Sequence, residues 1–406
     1  MLTCRICGAS VREFVDFGRQ PLSDAFRKPD DTSEEYFFRL AVGACESCAM
    51  VQLVEEVPRD RMFHADYPYH SSGSALMREH FGRTAQEFLE TELSGDDPFI
   101  VEIGCNDGVM LSAVHEAGVR HLGVEPSAGV GEVARSKGVR VLTEFFEDST
   151  ARAVRDEHGP ADVIFSANTI CHIPYLESIF LGVDALLKPD GVFVFEDPYW
   201  GDIVERRSFD QIYDEHFYFF TATSVRAAAR RYGFDLVDVR RLGVHGGEVR
   251  YSIARPEARV PTAAVAELLA EEEARGLVTR ETLDGFAAGV AGIRDDLVAL
   301  LKDLKDRGGR VVAYGATAKS ATVTNYCGIG PDLVSKICDS TPAKQGRLAP
   351  GSHIPVVPSG EFAEPYPDYA LLFAWNHAEE IIAKEPAFRD GGGRWILYVP
   401  EVHVVE

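Results

Sequence analysis

The sequence predicts an α/β protein of three units: a small cysteine-bearing segment, a central doubly wound unit and a C-terminal Rossmann-like unit. Three observations carry this. Half of the eight cysteines fall in the first 48 residues as two Cys-x-x-Cys pairs. After them the apolar runs PFIVEIGC, RHLGVEP, ADVIFSAN and GVFVFEDP alternate with stretches of helical periodicity, the mark of a largely parallel sheet covered by helices. The same rhythm returns in GRVVAYGA, LVSKICD, YALLFAW and RWILYVP. Between the two, the Ala-, Glu- and Leu-rich stretch from Pro261 to Arg307 reads as one or two connecting helices. The expected boundaries are 1–62, 63–255 and 256–406.

Composition narrows the class. The 406 residues exceed one ordinary core. An apolar fraction of 46% with 26% charged residues is that of a soluble globular chain. The 64 acidic against 41 basic residues leave a formal charge of −23. A field of that sign repels phosphate backbones and anionic lipid, which argues against nucleic acid or a membrane surface as partner. It leaves room for a small anionic substrate held by a local cradle of N–H groups. The opening MLTCRICGAS lacks a signal-peptide layout and no run approaches ~20 apolar residues. A cytoplasmic protein is therefore expected, and three mutually packed units can be satisfied as a monomer.

In a reducing compartment paired cysteines point to metal rather than disulfides. Cys4 and Cys7, then Cys45 and Cys48, form two knuckles that together offer the tetrahedral sulfur shell zinc prefers. Four thiolates close the coordination sphere, so the zinc is expected to be structural, holding a segment too small to fold alone. Cys105, Cys171, Cys327 and Cys338 lie scattered on apolar elements and read as core.

The first central strand runs into Glu102-Ile103-Gly104-Cys105-Asn106-Asp107-Gly108 and then a helix. Glycines 104 and 108 allow a ligand to approach the backbone at the carboxyl end of the strand. The next strand ends at Glu125, where a carboxylate can accept from both hydroxyls of a ribose. Asn168 follows the third strand at the same edge. An E-x-G-x-x-x-G loop followed by an acidic strand end is the arrangement of class I methyltransferases, so the expected cofactor is S-adenosylmethionine. The absence of G-x-G-x-x-G and of a Walker lysine counts against a dinucleotide or ATP.

Methylating carbon requires that the carbon first become nucleophilic, and that needs a base and a group to hold the oxyanion. The segment Phe209-Asp210-Gln211-Ile212-Tyr213-Asp214-Glu215-His216-Phe217 sets an imidazole, a carboxylate and a phenol among apolar residues. On these residues alone a packed structural histidine is the commoner reading. His172 follows the third strand in Cys171-His172-Ile173-Pro174.

Taken in order, the paired Cys-x-x-Cys knuckles, Tyr67-Pro68-Tyr69-His70-Ser71-Ser72, EIGCNDG, GVEPS, CHIP, EDPY, IYDEH, His245-Gly246-Gly247, YGATAK, NYCGIG and TPAKQGR resemble the deoxysugar C-methyltransferases of antibiotic biosynthesis over essentially the whole chain. FDQIYDEH, HGGEVRY and YGATAKSATVTN are most similar to the C-3′-methyltransferases of tetronitrose (kijanose-type) sugars. The resemblance implies a zinc module, a central class I domain binding S-adenosylmethionine, and a C-terminal Rossmann-like domain, with a dTDP-sugar between the last two. It implies dTDP-3-amino-2,3,6-trideoxy-4-keto-D-glucose as substrate. His216 becomes the base for the C-3′ proton with Glu215 as its partner, and Tyr213, His172 and Tyr67 line the reacting sugar. Tyr69, Ser71, Tyr199, His245 and Gly246 stand in the shared strings and are expected at the substrate.

Tyr314 to Ser320 run from strand into helix, so free N–H groups and the helix dipole meet an anion. Lys319 suits a diphosphate, and Asn325, Lys344 and Arg347 are further candidates, although a solvated basic turn accounts equally for the last two. Competing readings are methylation at C-5′ or of a 3-hydroxy sugar, an inactive zinc-dependent binding module, and an NAD-dependent sugar epimerase or reductase.

Overall fold

The computed structural model describes residues 2–63, 67, 69–363 and 365–405; Pro68 of the tyrosine-rich string lies outside them. The chain folds around three sheets. The first is four-stranded and antiparallel, in the order Arg12–Pro21, Phe37–Ala44, Val51–Leu53 and Tyr218–Phe219. Its last strand comes from the central unit, immediately after His216. The N-terminal segment therefore does not close on itself.

The second sheet has seven strands in the order Asp235–Leu242, Glu248–Ala254, Leu187–Pro198, Ala161–Ala167, Phe99–Ile103, Arg120–Val124 and Val141–Leu142. The first three pair antiparallel and the remainder parallel. Phe99–Ile103 is buried along its whole length, as befits a strand covered on both faces. Its neighbours are Arg120–Val124 and Ala161–Ala167, the second and fourth strands of this sheet in chain order, so the connections leave it in opposite directions and open a crevice at its carboxyl end. Helix Ala75–Thr91 covers one face. Its Met77, His80, Phe81, Thr84, Ala85 and Phe88 form a single buried stripe at helical spacing, and the Ser74 side chain caps it by accepting from Met77 N at 3.1 Å.

The connecting stretch is two helices, Ala263–Arg275 and Arg280–Asp306, broken at Gly276 in the left-handed region (φ +56°). Leu283, Phe286, Val290, Ile293, Leu297, Leu301 and Leu304 bury one face of the second. Trp200, fully buried, joins the units: its ring meets Phe14, Phe219 and Phe286, and its Nε1 donates to Leu277 O at 3.1 Å.

The third sheet orders Val356–Pro358, Ile337–Asp339, Val311–Tyr314, Tyr369–Leu372 and Arg394–Leu397 in parallel, with antiparallel His403–Val405 at the edge. Val311–Tyr314 occupies the same switch position that Phe99–Ile103 holds in the second sheet. No helix among the described residues is long and apolar enough to cross a membrane.

Candidate active site

The four knuckle sulfurs converge. Cys4 and Cys48 Sγ are 3.5 Å apart, as are Cys7 and Cys45, and all four lie within 4.8 Å of one another. Gly8 (φ +76°) and Ala49 (φ +58°) turn the chain after each pair. Four thiols at one buried point fit a closed tetrahedral zinc shell with no position left for substrate.

A cavity of about 610 Å3 lies between the carboxyl edges of the second and third sheets. At one end the Gly104 loop is left-handed at Gly104, Asn106 and Gly108. Glu125 is pinned at the wall: Asn106 N donates to its Oε2 at 2.9 Å and Ser127 N to its Oε1 at 2.8 Å. Burial raises its pKa against the pull of those donors. A Cβ on Gly104 would stand 2.3 Å from Thr169 Oγ1, at φ +70°. Gly104→Ala is therefore expected to weaken S-adenosylmethionine binding by at least about tenfold, since the left-handed conformation alone costs an alanine ~1–2 kcal/mol; calorimetric titration measures it, and an unchanged affinity would contradict this reading of the loop.

Gly104, Asn106, Glu125 and Asn168 line the cavity. Three other residues expected at the cofactor do not. Glu102 is buried in its strand with Oε2 unpartnered, and burial beside Asp107 and Glu125 drives its pKa well above the carboxylate range. Asp107 turns to the Ser72 hydroxyl and to Lys137 Nζ at 3.4 Å. Gly108 begins helix Val109–Glu116 where a Cβ would meet Ala134. Asp107 instead latches the preceding segment down, helped by Ser71 N donating to Asn106 Oδ1 at 2.9 Å. Tyr69 and Ser71 thereby reach the cavity wall.

At the centre, His216, Tyr213, His172, Glu215 and Tyr67 all line the cavity. The turn Phe209–Gln211 presents the Gln211 carbonyl to His216 Nδ1 at 2.8 Å. A carbonyl only accepts, so Nδ1 carries the proton and Nε2 is left as acceptor, facing the Tyr213 hydroxyl at 2.7 Å. Burial and neighbouring His172 hold His216 well below the usual imidazole pKa. His172 stacks on it with centroids 5.2 Å apart, and burial pushes His172 down to about 3. Its Nε2 has no partner. The expected pairing of Glu215 with His216 is corrected. Glu215 Oε2 accepts instead from Tyr67 OH at 3.0 Å, and burial with Asp24 and Asp214 nearby raises its pKa strongly.

At the far end, Lys319, Lys344 and His245 line the wall. Lys319 Nζ lies 4.8 Å over the Trp375 ring, and burial lowers its pKa against the pull of Asp210. Lys344 Nζ pairs with Asp24 Oδ1 at 2.9 Å. Burial brings His245 down to about 3. Five expected substrate residues are not brought to the cavity. Tyr199 is buried under Arg241. Tyr314 packs between Phe362 and Trp395, with its hydroxyl donating to Glu385 at 3.3 Å. Asn325 holds the Ala321 and Pro350 carbonyls at 2.8 and 3.0 Å. Arg347 donates to Phe26 O at 3.1 Å. Gly246 leaves room for Trp375, which a Cβ would meet at 2.8 Å. Each satisfies packing or backbone demands of the fold that no motif displays.

Sequence reasoning missed Asp24, Gln211, Asp339 and Asn376 at the wall. Asp24 arrives from the N-terminal segment, where a single loop aspartate carries no signal. Gln211 acts through its carbonyl, which any residue would supply. Asp339 ends a strand of the C-terminal unit, and a strand-end acid there was a legible signal.

Three protein-family models match the chain: a zinc binding domain over residues 4–63, a methyltransferase domain over 77–239 and a C-methyltransferase C-terminal domain over 243–400. The C-methyltransferase NovU of Streptomyces niveus is 33% identical over 405 residues, covering 99% of this chain and 96% of its own. The ubiquinone biosynthesis O-methyltransferase of Haemophilus ducreyi is 27% identical over 99 residues, 23% of this chain and 42% of its own. Among solved structures, the magnesium protoporphyrin IX methyltransferase of Synechocystis PCC 6803 with bound S-adenosylmethionine aligns with a TM-score of 0.33 and 12% identity, over 44% of this chain and 79% of its own.

Proposed function

Because the chain belongs to the S-adenosylmethionine-dependent C-methyltransferase family of NovU, we propose that it methylates C-3′ of dTDP-3-amino-2,3,6-trideoxy-4-keto-D-glucose in cytoplasmic antibiotic deoxysugar biosynthesis. Residues 1–62 serve as zinc module, 63–255 as cofactor domain and 256–406 as sugar-nucleotide domain. One observation carries the reading: a neutral imidazole, its Nε2 an acceptor held by the Tyr213 hydroxyl at 2.7 Å, lines the same cavity as Glu125 and Lys319.

S-adenosylmethionine, when bound, supplies the electrophilic methyl group. The protein's work is at the sugar. His216 Nε2 takes the C-3′ proton, and the electron pair of the broken C–H bond moves onto the 4-keto oxygen. Tyr213, its pKa raised well above the usual phenol by burial, keeps its proton; its hydroxyl, which faces Nε2 at 2.7 Å, turns to the bound sugar and donates to that oxyanion instead, which frees Nε2 for the C-3′ proton. Burial, and His172 stacked beside it, keep His216 unprotonated until the sugar arrives. Apolar walls at Phe63 and Met77 keep water from the enolate.

The test is incubation with S-adenosylmethionine and the dTDP-linked 4-keto-sugar, followed by mass and NMR analysis of the product. A methyl group at C-5′, or turnover of the 3-hydroxy sugar alone, would replace this assignment.

A pH profile follows from the site. Burial favours neutral His216, and the neutral form is the one that accepts a proton. As pH falls through about 6.5, where an ordinary histidine charges, His216 stays competent. The acid limb of kcat/KM is expected to be displaced below that value. A limb centred at or above about 6.5 would mean that another group, or an exposed His216, is the base.

A further inference from the structure

The C-terminal unit repeats the hydrogen-bond scheme that fixes Glu125. In the central unit the first strand ends at Gly104 (φ +70°), whose N donates to Val124 O at 2.8 Å. Glu125 follows Val124 and accepts from Asn106 N in the loop and from Ser127 N, two residues on from itself. In the C-terminal unit the first strand ends at Gly315 (φ +89°), whose N donates to Cys338 O at 2.9 Å. Asp339 follows Cys338; its Oδ2 accepts from Ala316 N at 2.6 Å and its Oδ1 from Thr341 N at 2.7 Å, again two residues on. Both acids end the strand beside the switch position of their sheet, and both line the one cavity. Each carboxylate oxygen has a second acceptor site left over. Beside Asp339 the buried Thr317 Oγ1 also has no partner. An acid so placed in a Rossmann-like unit is the group that accepts from pentose hydroxyls.

We propose that Asp339 reads the pentose of a nucleoside diphosphate at the C-terminal end of the cavity, accepting a hydrogen bond from its 3′-hydroxyl. The proposal rests on the nucleotide-sugar reading and deepens it. The cavity then has two nucleoside ends, each with its own strand-end acid, and the reacting groups lie between them. A 2′-deoxynucleotide satisfies the site because the 3′-hydroxyl alone reaches the carboxylate.

Calorimetry on the zinc-loaded full chain tests this with dTDP, its 2′,3′-dideoxy analogue and S-adenosylhomocysteine. The wild type is expected to bind dTDP about tenfold or more tighter than the dideoxy compound, the effect of one hydrogen bond to a charged acceptor. Asp339→Asn is expected to lose dTDP affinity by a similar factor and to bind the two thymidine nucleotides alike, with S-adenosylhomocysteine affinity unchanged. Equal binding of the two nucleotides by the wild type, or discrimination surviving in Asp339→Asn, overturns the assignment. Should that variant fail to fold, a crystal structure of the wild type with dTDP decides: a 3′-hydroxyl within ~3.2 Å of the Asp339 carboxylate supports the proposal, and a pentose elsewhere overturns it. A wild type that binds no dTDP at all sinks the nucleotide-sugar reading itself, whereas binding without discrimination sinks only the role of Asp339.

Discussion

His216→Asn is expected to lower turnover by about 10²–10⁴-fold, the usual worth of a positioned general base, while S-adenosylmethionine still binds. Asparagine fills a similar volume and its amide can still donate to the Gln211 carbonyl, so the turn at Phe209–Gln211 survives. What is lost is the acceptor at Nε2, which the Gln211 contact at 2.8 Å reserves by keeping the proton on Nδ1. Glu125 and the Gly104 loop stand on different strands and do not depend on His216. Parallel titration and single-turnover assays separate the two effects. Near wild-type turnover in the variant would remove His216 as base, and loss of cofactor affinity would show that it shapes the cavity instead.

Removing zinc, or replacing Cys45 by Ser, is expected to abolish turnover while cofactor affinity falls far less. Structural zinc contributes on the order of 10 kcal/mol to the folding of small sulfur-ligated units. Here that energy does not stay local. Val51–Leu53 pairs with Tyr218–Phe219, and Leu53 N donates to Phe217 O at 2.9 Å, one residue beyond His216. Ser23 N donates to Asp214 Oδ1 at 2.9 Å, and Asp24 reaches the cavity wall. The zinc segment thus holds both ends of the Tyr213–His216 turn, whereas the Gly104 loop belongs to the seven-stranded sheet. Chelation followed by activity, circular dichroism and S-adenosylhomocysteine titration checks this. Full activity in metal-free protein would show that the strand pairing needs no zinc.

Legibility in the sequence followed the range of the interaction. The knuckles, the Gly104 loop, the acid at Glu125 and the alternation of strand and helix are local patterns. Each is written in residues close together in the chain. His216, Tyr213 and Glu215 were equally visible as a string. Their mutual arrangement was not, because the partner of His216 is a backbone carbonyl and the partner of Glu215 is Tyr67, far away in the chain. Tyr199, Tyr314, Asn325 and Arg347 erred the other way. They stand in motifs that look exposed to ligand, yet the Tyr199 ring packs under Arg241 and the polar atoms of the other three hold carbonyls or a carboxylate of the fold.

By itself the sequence determined the three-part α/β architecture, the four-sulfur metal site and the glycine loop with its strand-end acid, because each depends on periodicity or short spacing. The tertiary structure alone decided which side chains share the cavity. It brought Asp24 from the first unit and Asp339 from the last to the same wall as His216. It also buried the turn in which the nearby Gln211 carbonyl sets the imidazole tautomer, since burial and long-range pairing are properties of the assembled sheets and of no single segment.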